Sequence, residues 1–363
     1  MTDEPYILWF RDCDKTCLPH VGGKNASLGE MTRAGLRVPP GFAITTAAYR
    51  DFLEQSGLAS EIQRMVKRVD GQDLAVAEQV SQDIRQMLGA APISAQIEDA
   101  IVGAYEKLCA DCGAPDLPVA VRSSATAEDL PGASFAGQQD TSLWVRSAPS
   151  VVIRTALCWS SLFTARAIAY RNEMGFPHEK VLISVGVQKM ANAKTAGVMF
   201  TLNPPNGDRS KIAIDASWGL GESVVSGVVT PDNFLMDKVT LTIIRRTASL
   251  KLIEYEPDPE SGRVQIFDVP PERQTSLCLS DEEVVTLAQL GKRIEQHYGA
   301  PQDIEWAIDR DLRFPDNVVV LQSRPETVWS QRVRSINANH QTGVEGVAAS
   351  LLVPVRVKIQ GPD

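Results

Sequence analysis

The stretch LPVAVRSSATAEDLPGASFAGQQDT, residues 117–141, decides which fold to expect. Its first part has the small and branched apolar residues of a short buried strand, which is expected to deliver Arg122 at its carboxyl end. A glycine loop follows, in which the chain can bring backbone N–H groups close to an anion; its residues are Gly132, Ala133, Ser134, Phe135, Ala136 and Gly137. The stretch therefore predicts an anion site, although the loop lacks the terminal Lys-Ser/Thr of a Walker motif.

Length, charge and hydropathy exclude several classes of protein. At 363 residues the chain is long enough for two or three packed units, and its net charge of −9 offers no basic field to a nucleic acid. No apolar run reaches membrane-spanning length, and the N-terminal segment MTDEPYILWF carries acidic residues where a secretory signal is basic. We therefore expect a cytoplasmic protein that binds neither nucleic acid nor membrane.

Lys24 is a second candidate for an anion contact. Two glycines precede it, apolar residues recur at helical spacing through Met31, and Gly35 can end the helix. Lys24 therefore lies at the mouth of a predicted helix.

The second half of the chain is richer in strand-like runs, among them one over residues 233–244. Ser280 and Glu283 form a capping box, which predicts the start of a helix that ends near Gly299. The folded part then finishes with two strands, QDIEWAID (302–309) and NVVVLQSRPE (317–326).

Strand alternation relates the polar residues of this last pair. Asp303 and Glu305 share one face of the first strand, and the second strand is expected to place Val318, Val320, Gln322 and Arg324 on one face. If the turn between the strands makes an antiparallel hairpin, Glu305 lies opposite residue 321 or 322, and Glu305, Gln322 and Arg324 converge. A slip of one residue in register would break this convergence.

The cations Lys24, Arg122 and Arg324 together suit a polyphosphate, because guanidinium groups match phosphate oxygens two at a time and a lysine adds a point charge. Glu305 and Gln322 supply the hard oxygen ligands that Mg²⁺ accepts beside phosphates and water. Taken singly, each residue is more often a solvated or ion-paired side chain. Only their convergence predicts a site.

Seven segments, in this order, resemble the nucleotide-binding domain of phosphoenolpyruvate synthase and pyruvate phosphate dikinase, a domain that rifampicin phosphotransferase shares. The resemblance runs from about residue 18 to residue 327. Its segments are VGGKNASLGEM (21–31), VPPGFAIT (38–45), VRSSATAEDLPGASFAGQQDT (121–141), GVMFTLNP (197–204), DASWGLGESVVSGVVTPD (215–232), DIEWAID (303–309) and LQSRPET (321–327).

This resemblance implies an α+β ATP-grasp fold, in which two α+β subdomains clamp ATP between them. We place them at residues 1–195 and 196–330, followed by a linker and possible partner-docking tail at 331–363. The implied roles are phosphate binding by Lys24, Arg122 and Arg324 under the glycine loop, Mg²⁺ binding by Glu305 and Gln322, a nearby nucleotide or metal role for Asp303, and the adenine end for Gln188 and Met190.

Family members pass the phosphoryl group to a histidine on a separate swivelling domain. The four histidines of this chain lack the Thr-x-His signature of that domain. We therefore expect a separate histidine-bearing phospho-carrier subunit as partner. A stand-alone ATP-grasp chain resembles the small ATP-binding subunit of phenylphosphate synthase, which implies that phenol, ATP and water give phenylphosphate, AMP and phosphate.

Two alternatives stay open at this point. The chain could be the ATP-binding component of a split phosphoenolpyruvate synthase or antibiotic phosphotransferase, with another small-molecule acceptor. It could also be a nucleotide-sensing module that transfers nothing, because a shared fold does not establish a shared activity.

Overall fold

The computed structural model describes residues 4–69, 73–126, 141–258 and 261–329. The glycine loop at 132–137 and the tail at 331–363 lie outside these residues. The α-helices are α1 (Leu18–Arg33), α2 (Thr46–Ser56), α3 (Ala59–Val66), α4 (Leu74–Ala90), α5 (Ala95–Asp111), α6 (Ala148–Ser160), α7 (Ala165–Glu173), α8 (Glu222–Val225), α9 (Pro271–Gln274) and α10 (Asp281–Tyr298). The strands are β1 (Ile7–Trp9), β2 (Gly41–Ile44), β3 (Val119–Ala125), β4 (Thr141–Val145), β5 (Ile183–Lys189), β6 (Ala193–Phe200), β7 (Lys211–Trp218), β8 (Asp232–Asp237), β9 (Ile243–Thr247), β10 (Ile253–Pro257), β11 (Val264–Asp268), β12 (Gln302–Asp309) and β13 (Val318–Pro325).

Two large sheets carry the α+β fold. The first has five strands in the order β1-β2-β5-β3-β4, and the second has six in the order β13-β12-β6-β7-β8-β9; β10 and β11 form a separate hairpin. Helices α2 to α7 pack on one face of the first sheet, where Phe52 and Trp159 meet Val121 and Val185. Helices α1 and α10 pack on one face of the second.

Helix α1 is attached to both sheets. Asn25 of α1 donates hydrogen bonds to the hydroxyls of Ser124 and Ser184, which belong to β3 and β5 of the first sheet. Met31 is buried in the same apolar cluster as Trp306 of the second sheet. One helix therefore fixes the distance between the two sheets at this end.

Local signals identified in the sequence are confirmed at the ends of α1 and α10. The Ser280 and Glu283 capping box is complete, and Gly299 ends α10 in the left-handed conformation. Gly35 follows α1 at a φ of +71°, and its N–H binds the carbonyl of Thr32. These helix ends depend on capping interactions between residues that are close in sequence, so they can be predicted from the residue types alone.

Two expectations about the second half differ from the structure. The run at 233–244 is a hairpin of β8 and β9 and not one strand, because the Asp237 carboxylate accepts the N–H groups of Val239 and Thr240 and turns the chain. The boundary placed between residues 195 and 196 falls inside β6, a strand of the second sheet.

The described residues up to Arg324 form one compact unit, and those from Pro325 to residue 329 belong to a second. Within this short second piece, the Glu326 carboxylate accepts the N–H groups of Val328 and Trp329. In the described part of the chain no single helix has the length and apolar composition to cross a membrane, and one bent pair, Ala148–Phe163 with Ala165–Glu173, passes by length and composition alone.

Candidate functional site

The two sheets face each other across a cleft, which we define by Ala120 and Arg122 of β3 and by Glu305 and Ala307 of β12. Ala120 and Ala307 share a small apolar cluster at the base of this space. Arg122 Nη1 lies 4.0 Å from Glu305 Oε2, and the two side chains are 16% and 26% exposed. The fold thus brings together two predicted site residues that lie far apart in the chain.

The Arg122–Glu305 separation is too long for a direct hydrogen bond. Arg122 Nε is buried and has no hydrogen-bond partner within the described residues. Leaving such a donor unsatisfied costs about 1–3 kcal/mol, and more when the group is charged. The guanidinium therefore keeps donor capacity for a bound anion in the cleft.

The hairpin of β12 and β13 is antiparallel, as predicted. Asp309 N–H donates to the Asn317 carbonyl at one end, and Arg324 Nε donates to Asp303 Oδ2 at 2.9 Å near the other. Asp303 and Glu305 lie on the face of β12 opposite the buried Ile304, so the alternation predicted for this strand is confirmed.

The alternation predicted for β13 is wrong in part. Val320 packs with Trp306 on the side of α1 and α10, and Ser323 also lies on that side, since its hydroxyl donates to Gln302, which shares a face of β12 with the buried Ile304. Two residues three positions apart cannot share a face of a regular strand. Side-chain alternation is therefore interrupted between Val320 and Ser323, and the residues after the interruption point to the opposite faces from those that strict alternation predicts.

This interruption places Leu321 and Gln322 next to each other on the cleft side. Leu321 packs on the apolar cluster of Ala120 and Ala307, and alternation from Ser323 turns Gln322 the same way. Gln322 and Arg324 therefore face the cleft with Glu305, whereas Val318 and Val320 do not share their face. The irregularity brings about the convergence that strict alternation would have prevented.

Lys24 lies in a turn of α1 whose other residues contact both sheets. Gly22 has non-helical angles and breaks the helix, so that Lys24 begins the regular part, as predicted. Gly22 lies against Ser124 of β3, and the Ser27 hydroxyl donates to the Ser323 carbonyl of β13 at 2.8 Å. Lys24 is thus held between the strand that carries Arg122 and the strand that carries Gln322 and Arg324.

Gln188 and Met190 lie at the apolar end of the cleft. Gln188 is 2% exposed on β5; its Nε2 approaches the Pro39 carbonyl at 3.4 Å, and its Oε1 has no partner in the described residues. Met190 belongs to the apolar cluster with Ala120. An apolar wall beside an unsatisfied buried amide suits a flat heterocycle with a hydrogen-bond donor.

The residues present fit a magnesium ion only if a ligand contributes. Among the described residues no group of three or more His, Cys, Asp or Glu side chains could hold a metal. Glu305 and Gln322 nevertheless face the cleft with oxygen donors, and Mg²⁺ commonly takes one or two protein oxygens and completes its shell with phosphates and water.

Asp215 is a cleft residue that the sequence reasoning did not single out. In the second sheet Glu305 of β12 pairs with Val198 of β6, and Val198 pairs with Asp215 of β7. The Asp215 carboxylate accepts a hydrogen bond from the Asn233 side chain at 2.7 Å. Burial raises the pKa of its carboxyl, and the Asn233 hydrogen bond opposes that rise. The sequence did contain a sign of this residue, because Asp215 begins the segment 215–232, one of the seven that resemble the family.

A protein-family model matches most of the chain. Residues 18–343 match the model of the pyruvate phosphate dikinase AMP/ATP-binding domain. The chain belongs to this family. The resemblance drawn from the seven sequence segments is thereby confirmed, as is the α+β ATP-grasp-type fold that it implied.

Three curated relatives are named phosphoenolpyruvate synthase or probable phosphoenolpyruvate synthase. The chain is 44% identical to a probable phosphoenolpyruvate synthase of Staphylothermus marinus, over 99% of this chain and 46% of that protein. It is 44% identical to one of Methanothermobacter thermautotrophicus, over 98% and 51%, and 42% identical to the phosphoenolpyruvate synthase of Aeropyrum pernix, over 92% and 43%.

The chain spans about half the length of these relatives. What is shared is the ATP-binding domain of an ATP-dependent phosphotransferase family.

Proposed function

We propose that this chain is the Mg²⁺- and ATP-binding component of a dikinase-type phosphotransferase, which presents the phosphates of ATP to a histidine supplied from elsewhere. The observation that carries the proposal is the meeting of Arg122 and Glu305 at 4.0 Å across the cleft, with unused donor capacity on Arg122. A cation and a carboxylate side by side in one cleft offer one group that can bind a phosphate and one that can bind a metal ion.

Each residue has a proposed task. Lys24, Arg122 and Arg324 bind the phosphates and stabilise the negative charge that develops as the phosphorus–oxygen bond breaks. Asp303 holds Arg324 in place through its 2.9 Å ion pair. Glu305 and Gln322 would hold Mg²⁺, which would supply charge neutralisation.

The adenine end completes the proposed substrate position. Met190 provides an apolar wall, and Gln188 Oε1 can accept a hydrogen bond from the adenine amino group. The glycine loop at 132–137 remains a sequence-based candidate for covering the phosphates.

The nucleophile is proposed to be a histidine of a separate subunit. The three histidines in the described residues are engaged elsewhere: His20 lies 4.0 Å from Glu4, His178 binds Asn172 at 2.8 Å, and His297 binds Glu30 at 3.0 Å. The partner's histidine would take the pyrophosphoryl group and release AMP. Pyruvate is the acceptor favoured by the names of the relatives. Phenol, which the resemblance to the phenylphosphate synthase subunit implies, is the second candidate acceptor.

The experiment has two stages. Calorimetry with MgATP should detect binding to the wild-type chain and a loss of at least about tenfold in affinity for Arg122→Ala or Glu305→Gln, since each removes a charge-assisted contact. Absence of binding by well-folded wild-type chain would refute the proposal.

The chain is then mixed with the histidine-bearing protein encoded beside it, MgATP, and either pyruvate or phenol. AMP formation that depends on one acceptor identifies that acceptor. Binding of MgATP without labelling of the partner would instead support a nucleotide-sensing module.

A further inference from the structure

A second cavity lies at the outer edge of the first sheet. It has a volume of about 760 Å³, and its walls are β4, the first turns of α6 and the tip of the β10–β11 hairpin. Of the residues proposed to bind ATP, none that the structure describes lines it. Its volume is within the range of cavities that hold small organic ligands, roughly 300–1,000 Å³.

The charge of this cavity is opposite to that of the chain. Each wall contributes one arginine, Arg146 beside β4, Arg154 of α6 and Arg263 of the hairpin tip, and the described residues that line the cavity include no acidic one. Within the described residues none of the three forms an ion pair. Three positive side chains thus face one space in a chain whose net charge is −9. Such a group of guanidinium forks matches the oxygens of a phosphate.

Backbone strain is concentrated in the same wall. Val121 pairs with Ser142 and Val119 with Val145, so Leu143 and Trp144 both lie opposite Ala120 as a β-bulge. Trp144 has a φ of 57°, and Ser147, which caps α6, has a φ of 70°. Bulky residues rarely adopt this left-handed conformation, and strain of this kind collects at binding sites.

The strained tryptophan has a specific position. Trp144 packs against the apolar cluster that contains Ala120 and also lines the cavity. An indole at a cavity wall offers an aromatic surface for stacking a flat ring. The hydroxyls of Ser142, Ser150 and Ser261 line the same space and add hydrogen-bonding groups.

We propose that this cavity binds a small organic phosphate, with the phosphate on Arg146, Arg154 and Arg263 and a flat ring against Trp144. The arginines of this site are separate from the residues proposed to bind ATP, while Trp144 borders the apolar cluster at the base of the cleft. The arginines provide the charge recognition, and the indole distinguishes a ring-bearing phosphate from inorganic phosphate.

The test uses two probes, phenyl phosphate and inorganic phosphate, with the full chain in metal-free buffer and ligand-observed NMR as the readout. Wild type should bind both probes, phenyl phosphate more tightly. The combined variant Arg146→Gln, Arg154→Gln and Arg263→Gln should weaken both at least tenfold. Arg166→Gln, which removes an exposed arginine of α7 outside the cavity, is the matched control and should change neither affinity.

Trp144→Asn tests the ring contact. Asparagine tolerates the left-handed conformation, which offsets part of the packing lost with the indole, so this variant should fold, yet bind phenyl phosphate no better than inorganic phosphate. Circular dichroism verifies folding of every variant.

Three outcomes would overturn the proposal: no binding of either probe by wild type, binding that survives removal of the three arginines, or binding that is lost in Lys24→Ala. The last result would place the probe in the cleft. MgATP binding is measured separately, so failure of this site is distinguishable from failure of the proposed function.

Discussion

Gly22 offers a sharp test of how α1 positions Lys24. A Cβ added at Gly22 would lie 2.6 Å from the carbonyl carbon of Ser124, whereas ordinary contact begins at 3.4 Å. Gly22→Ala must therefore move α1 away from β3 by at least the missing 0.8 Å. The displaced helix takes Lys24 with it.

Gly35→Ala is the matched control. Gly35 has nearly the same φ, +71° against +70°, but nothing lies within 4 Å of an added Cβ. Gly35→Ala costs about 1–2 kcal/mol for a left-handed alanine. Gly22 has a ψ of 171°, a conformation nearly confined to glycine, and alanine there costs about 1–3 kcal/mol. Only Gly22→Ala adds a steric cost, of about 1–3 kcal/mol, as for other overpacked sites.

The two variants should therefore separate in two assays. Urea unfolding should show Gly22→Ala to be less stable than Gly35→Ala, by the steric cost together with the greater backbone strain of alanine at Gly22. Calorimetry with MgATP should show about tenfold weaker binding for Gly22→Ala, because a charge-assisted phosphate contact contributes about 1.5–3 kcal/mol, and wild-type affinity for Gly35→Ala. If folded Gly22→Ala binds MgATP as wild type does, α1 does not position Lys24 for phosphate.

Three further changes have defined outcomes. Lys251→Met should lower the free energy of unfolding by about 3–5 kcal/mol, because it removes the 2.5 Å partner of the fully buried Asp232; urea unfolding measures this, and adding Asp232→Asn should recover part of the loss. Arg122→Lys should weaken MgATP binding about tenfold in calorimetry, since an ammonium cannot make two parallel hydrogen bonds to a phosphate; unchanged affinity would remove Arg122 from the site. Burial, with a smaller contribution from Arg171, lowers the pKa of His178 from 6.5 to about 4. As the pH drops below 6.5, the His178 side chain is protonated in the unfolded chain but stays neutral in the folded chain, so the free energy of unfolding should fall. His178→Gln should reduce this fall, and an unchanged pH profile of the free energy of unfolding would contradict the assignment.

The sequence predicted most of the candidate site, although part of its reasoning was wrong. Gln322 and Arg324 were placed with Glu305 by continuous alternation along β13. In the structure, Gln322 and Arg324 lie on the side of Glu305 because side-chain alternation is interrupted between Val320 and Ser323. Alternation describes a regular strand, and no residue type in this segment announces an extra residue, so the interruption could not be read beforehand.

By itself, the sequence determined the features that depend on neighbours along the chain. The capping box at Ser280, the left-handed end of α1 at Gly35 and the alternation around Glu305 each follow from a few adjacent residues. Segments in a shared order were also enough to identify the family.

Only the tertiary structure decided which distant groups meet. The approach of Arg122 to Glu305 and the attachment of α1 to both sheets depend on how two separate cores pack. The left-handed Trp144 and the three arginines around it were not foreseen for the same reason. Residue preferences report local backbone energies, whereas these positions are set by packing between elements that are remote in sequence.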